Sequence, residues 1–138
     1  INDVSGFVDS KMIDLAIKKE CGVIVMHRNP GSENIHQKAD YEDVVDQVNT
    51  HLIIQTENLI EKGVNRSQIA VDPGLGFGKK MEDSKELFFN LHNLINTYPI
   101  VVGYSRKKFT DQLNMTNNEM IDHCLDSGVD LLRLHLDN

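Results

Sequence analysis

The chain has 138 residues, 40% of them apolar and 25% charged, a composition that fits one globular domain and excludes a low-complexity chain. Its net charge of −7 argues against non-specific binding to nucleic acid, and no apolar run approaches the roughly 18 residues of a membrane span. Two cysteines, Cys21 and Cys124, are too few for a disulfide framework, so both are expected as buried free thiols in a reducing cytoplasm. The chain opens Ile-Asn-Asp-Val, as if already inside a strand, and stops soon after an apolar run, so a piece of a longer protein is expected.

In chain order, "INDVSG" (1–6) reads as the tail of a strand. Residues 9–21 carry Ile13, Ala16 and Ile17 at helical spacing and stop at Gly22. "GVIVMH" (22–27) is a strand apolar on both faces, and the polar stretch 28–40, with Pro30 and Gly31, is a long loop. A helix over 41–62 follows from Tyr41, Val44, Val45, Val48, Leu52, Thr56, Leu59 and Ile60, closed by Gly63. The strand "IAVDPG" (69–74) leads into a helix over 84–98, with the stripe Leu87, Phe88, Leu91, Leu94, Ile95 and Tyr98 and with Asp83 or Ser84 as its N-cap. The strand "PIVVGYS" (99–105), a helix over 118–127 (Met120, Ile121, Cys124, Leu125) and the strand "DLLRLH" (130–135) complete the series; both cysteines fall in helical patterns. The order is β(αβ)₄ with parallel strands, which closes either as a doubly wound sheet or as part of a (β/α)₈ barrel.

In both architectures functional groups gather at the carboxyl ends of the strands. Polar residues collect there: Asn2, Asp3 and Ser5; Met26, His27 and Arg28; Asp72; Ser105, Arg106 and Lys107; Arg133 and His135. Some have simpler uses, since Asp3, Ser5 and Ser105 could cap local structure, Met26 could fill the core and Arg133 could pair with a barrel carboxylate. A buried carboxylate at Asp72 needs partners, and it could accept two hydrogen bonds from the N–H/NH₂ edge of a guanine- or pterin-type ring. Asn2 and Lys107 suit the same ring, Met26 and Phe77 offer packing surfaces, and Arg106, Arg133 and His135 suit a phosphate. The stretch "VDPGLGFGKK" (71–80) lacks the spacing of a P-loop or a dinucleotide fingerprint. Its glycines are expected to let backbone approach a ligand, and Lys79, Lys80 and Lys108 to be solvated.

The motifs "INDVSG", "VIVMH", "YEDVVDQV", "VDPGLGFGKK", "VVGYSRKKF" and "LLRLH", in that order, resemble the dihydropteroate synthases. The resemblance implies a (β/α)₈ TIM-type barrel, with residues 1–138 as its C-terminal portion, about strands 4–8, and strands 1–3 and the last helix outside the chain. It implies a transferase of folate biosynthesis that joins p-aminobenzoate to dihydropterin pyrophosphate, is a sulfonamide target, and acts in the cytoplasm as a homodimer with no nucleic-acid or membrane partner. Asn2, Met26, Asp72, Phe77, Gly103, Lys107 and Arg133 would then bind the pterin, Gly76, Phe77 and Ser105 the aminobenzoate, and Asn2, Arg133 and His135 the pyrophosphate. Asp72, Lys107 and Arg133 would be catalytic. Mg²⁺ is implied, its ligand expected from the N-terminal part rather than from this chain.

The chain departs from the family's pattern at Leu136, where an aspartate usually stands, and in its short segment between Lys107 and Arg133. This piece alone is expected to turn over negligibly. The competing readings are a non-catalytic pterin-binding protein, a folate-binding methyltransferase domain of the same fold, and an inactive scaffold fragment.

Overall fold

In the computed structural model, which describes residues 1–29 and 37–135, five short parallel strands follow one another in chain order. They are β1 (Asn2–Asp3), β2 (Val23–Met26), β3 (Ile69–Asp72), β4 (Val101–Val102) and β5 (Leu131–Leu132). β1, β2 and β3 form one sheet and β4 and β5 another, and a parallel bridge between Val71 and Ile100 joins the two. Neighbours in space are neighbours in sequence, with no reversal of order. The register sets Met26 beside Asp72 at the carboxyl end.

Parallel strands need a crossover, and helices supply it. Helix α1 (Ser10–Lys19) starts at Asp9, whose carboxylate accepts from the Lys11 N–H at 2.9 Å. Helix α2 (Val44–Glu61) starts at Asp43, which accepts from the Asp46 N–H at 2.9 Å, and buries Val44, Val48, Leu52 and Leu59. Thr56 shares that buried stripe because its hydroxyl donates back to the Leu52 carbonyl at 2.8 Å. Helix α3 (Met81–Phe89) follows the glycine loop. Helix α4 (Asn117–Asp126) is capped reciprocally: Glu119 accepts from the Thr116 N–H, and Thr116 from the Glu119 N–H. The core packs Val25, Val71 and Val102 of the strands against Leu52, Leu87 and Phe88 of the helices.

The structure corrects the sequence reading in several places. The helix expected over 84–98 is α3, which begins at Met81 and ends at Phe89; neither Asp83 nor Ser84 is its N-cap. Asp83 instead accepts from the Lys80 N–H at 3.2 Å from inside the first turn. Beyond Phe89 the asparagines compete for backbone partners, Asn90 through its amide to the Glu86 carbonyl and Asn49 to both Asn93 and Ile95. Leu91, in a single 3-10 turn (Leu91–Asn93), and Leu94 and Tyr98, beyond it, stay buried without a continuing α-helix. Leu125 is 56% exposed rather than part of the α4 stripe, and Cys21 lies past the end of α1. Asp3 caps no helix; it accepts from the N–H groups of Ser5 and Phe7 and from the Ser5 hydroxyl, closing a local turn. Most of the long loop, residues 30–36, and Leu136 lie outside the described residues.

No described helix is long and apolar enough to cross a membrane. Both thiols are free; Cys124 is fully buried, which pushes its pKa up to about 12, whereas Cys21 is half-buried. A thiol reagent at neutral pH is therefore expected to label Cys21 in the native protein and Cys124 only on unfolding. Equal labelling rates without denaturant would contradict this packing.

Candidate functional site

The site is built on the carboxyl end of β3. Asp72, 2% exposed, turns its carboxylate inward, where one oxygen accepts from the Gly74 N–H at 2.7 Å. The other oxygen lies 3.7 Å from the Arg133 guanidinium, which reaches across from the end of β5. Burial pushes the Asp72 carboxyl up; the Gly74 N–H and the charges of Lys107, Arg133 and Lys79 pull it back toward ionisation.

The glycine loop that follows wraps a lysine. Contrary to the expectation of solvation, Lys79 is 4% exposed. Its ammonium donates to the Gly74 carbonyl at 2.8 Å and the Phe77 carbonyl at 3.2 Å, and meets His27 Nδ1 at 2.9 Å. Gly74, Gly76 and Gly78 all have positive φ, so the backbone can bend tightly enough for those carbonyls to converge. At Gly74 a side chain is barred outright, since a Cβ would stand 2.1 Å from the His27 carbonyl oxygen. Burial pulls the Lys79 pKa down to about 7 against the attraction of Asp72. Burial and then the Lys79 charge hold His27 at about 2, so its imidazole is neutral and can accept at Nδ1. Lys80 does face solvent, paired with Asp40.

Lys107 enters from the loop after β4. Its ammonium bonds the Leu75 carbonyl and sits 4.5 Å from the centre of the Phe77 ring. Its stem lies along Gly76, where a Cβ would come within 3.1 Å of it. Burial lowers its pKa to about 8, with Asp72 opposing and Arg133 adding to the drop. Gly103 plays a similar part for Arg133, whose guanidinium would be 3.1 Å from a Cβ there. Beside Lys107 opens a cavity of about 180 Å³, bordered by Lys38, Gly76, Ser84 and Lys108. A larger hollow between α2 and residues 92–98 lies away from these strand ends.

Asp72, Arg133, Gly103, Lys107, Phe77 and Gly76 thus converge. Met26 is buried beside Asp72 in the sheet, which suits a floor rather than an exposed contact. Ser105 and His135 make a pair of their own: the Ser105 hydroxyl accepts from the His135 N–H at 3.3 Å and lies 3.2 Å from its Nδ1. Asn2 is exposed on β1, two strands from Asp72. The sequence reading missed Lys79, whose burial depends on His27 from another strand, and Lys38, which nothing in its surroundings marks. Among the described residues no three His, Cys, Asp or Glu side chains are grouped to hold a metal ion.

Known proteins resemble the chain along nearly its whole length. The family described as "Pterin binding enzyme" matches residues 1–135. The dihydropteroate synthase of Streptococcus pyogenes is 30% identical over 98% of this chain and 53% of its own; that of Mycobacterium leprae is 34% identical over 82% of this chain and 41% of its own. Among solved structures, dihydropteroate synthase of Burkholderia cenocepacia complexed with 7,8-dihydropteroate superposes with a TM-score of 0.84 at 28% identity, covering 99% of this chain and 55% of that one. The enzyme of Xanthomonas albilineans with 4-aminobenzoic acid gives 0.82 at 28% identity, covering 98% and 51%. The chain spans about half the length of these relatives. A buried aspartate at a strand end, held among a lysine, an arginine and an aromatic ring, and a family match along nearly the whole sequence lead to one conclusion: this chain belongs to the pterin-binding enzyme family.

Proposed function

We propose that the whole protein carrying this chain is a dihydropteroate synthase, which condenses dihydropterin pyrophosphate with p-aminobenzoate and releases pyrophosphate. The observation that carries the reading is the buried Asp72 carboxylate, with Lys107 and Arg133 close by and the Phe77 ring beside a lysine-bordered cavity. Asp72 accepts the amino and ring N–H groups of the pterin, and Lys107 donates to its ring. Arg133 covers the other face and, with His135 and Asn2, meets the pyrophosphate. The cavity bordered by Lys38 and Lys108 suits an anion, so the carboxylate of the second substrate points there, its ring lying between Phe77, Gly76 and Ser105.

The reaction breaks the bond between the pterin's exocyclic methylene and the pyrophosphate oxygen, then forms a carbon–nitrogen bond to the aromatic amine, whose proton goes to solvent. As the leaving group departs, positive charge develops on the pterin. A fixed carboxylate already held by the Gly74 N–H stabilises that charge without reorganisation. An aniline nitrogen is nucleophilic at neutral pH, so no strong general base is required. We assign the Mg²⁺ that the resemblance implies to residues outside this chain.

We further read the five strands as about strands 4–8 of a (β/α)₈ barrel, a reading supported by their unreversed order and by the exposed apolar residues Ile1, Val4 and Leu131 on or beside the outer strands. The homodimer, the cytoplasmic setting and sulfonamide binding belong to the same proposal, on the strength of the resemblance.

In the whole protein, Asp72→Ala is expected to weaken pterin pyrophosphate binding about tenfold to hundredfold by calorimetry; unchanged affinity would sink the ring contact. Because the Lys107 ammonium loses its proton near pH 8, affinity should fall as pH rises through that value, and this slope should be absent in Lys107→Gln. A wild-type profile that matches the variant's refutes a charged Lys107 at the ligand. The isolated 138-residue chain is expected to form no measurable dihydropteroate; turnover by it would contradict the need for the remaining strands.

A further inference from the structure

Lys79 also lines the cavity beside Lys107 but has been given no ligand contact, and at 4% exposed it is the most completely enclosed cation described here. Three donors on its ammonium face three acceptors: the Gly74 carbonyl, the Phe77 carbonyl and His27 Nδ1. Two of these belong to the loop that carries Phe77, and the third belongs to the end of β2. The loop is pressed onto that strand end, as the impossible Cβ at Gly74 shows. It is tied from the other side by the Ala39 N–H, which donates to the Gly78 carbonyl at 3.0 Å. An ammonium buried this deeply is stable only while its acceptors stay in place. Its charge also acts on Asp72.

We propose that Lys79 is a positioning residue: by drawing the Gly74 and Phe77 carbonyls onto one ammonium anchored at His27, it holds the loop so that the Phe77 ring and the Asp72 carboxylate face the ligand. The mechanistic part of this inference rests on the pterin site proposed above; the loop-shaping part does not. Without the ammonium, the two carbonyls and the imidazole lose a common partner, and the glycine backbone, having little conformational preference of its own, leaves this arrangement.

The test uses Lys79→Met in the whole protein, measured by amide hydrogen exchange over residues 74–78 and over β2 and β3, and by binding of the pterin pyrophosphate. The expected result is faster exchange in the loop with unchanged exchange in the strands, and affinity lower by roughly tenfold to hundredfold. Unchanged loop exchange overturns the proposal, and so does loss of protection in loop and strands together, the mark of a merely structural lysine. Affinity within about twofold of wild type, beside a mobile loop, overturns the positioning role. If Lys79→Met does not fold, Lys79→Gln carries the same measurements, because its shorter, uncharged amide cannot tie all three acceptors together. A wild-type protein that binds no pterin defeats the proposed function, and loop exchange still decides the role of Lys79.

Discussion

A carboxylate shut away from water at the end of a parallel strand is the constraint on which the rest of this site depends. Left alone, Asp72 would take a proton; kept ionised, it needs an N–H donor and positive charge nearby. The structure supplies the donor from its own loop, two residues on, and the charge from three separate elements: Lys79 in the glycine loop, Lys107 after β4 and Arg133 after β5. These cations in turn repel one another, and burial depresses both lysines. The arrangement holds because each lysine also has neutral acceptors. Lys107 bonds the Leu75 carbonyl, and Lys79 has two carbonyls and an imidazole.

The glycines are explained by this charge balance. Alternating residues with positive φ make a loop whose carbonyls can turn inward to a cation. A phosphate-binding loop would instead present N–H groups, and here the Gly74 N–H is committed to Asp72 and the Gly76 N–H to the Ser84 hydroxyl, at 3.2 Å. Ser84, which could be read as a helix cap, is a buried brace between α3 and the loop. The first turn of α3 therefore belongs to the site as much as to the scaffold.

Strands β2, β3 and β4 were legible because each is a short run rich in β-branched residues, apolar on both faces and followed by polar residues, and the carboxyl-end rule then pointed to Asp72, Lys107 and Arg133. Helix α3 was misjudged because its apolar stripe continues past Phe89 while its backbone does not. Asn90 and Asn49 offer side-chain partners to the chain, and Leu94 and Tyr98 stay buried from a loop. Lys79 was misjudged for a different reason. A lysine next to another lysine in a glycine-rich stretch reads as solvated, and its burial rests on a histidine from another strand and on carbonyl directions, neither of which a local pattern expresses.

The bond between Lys79 and His27 joins residues 52 positions apart. The glycine loop cannot complete its shape from its own sequence, however favourable its glycines, because one of the three acceptors it needs is carried on β2. The His27 N–H in turn donates to the Asp72 carbonyl at 2.8 Å, so the same residue zips the two strands together. The shape of the loop accordingly depends on the pairing of β2 with β3, and closing so long a segment carries an entropic cost that grows only slowly with its length. The ligand site is thus a product of the sheet register: a chain with β2 out of register would keep every residue named here and have no place to bind.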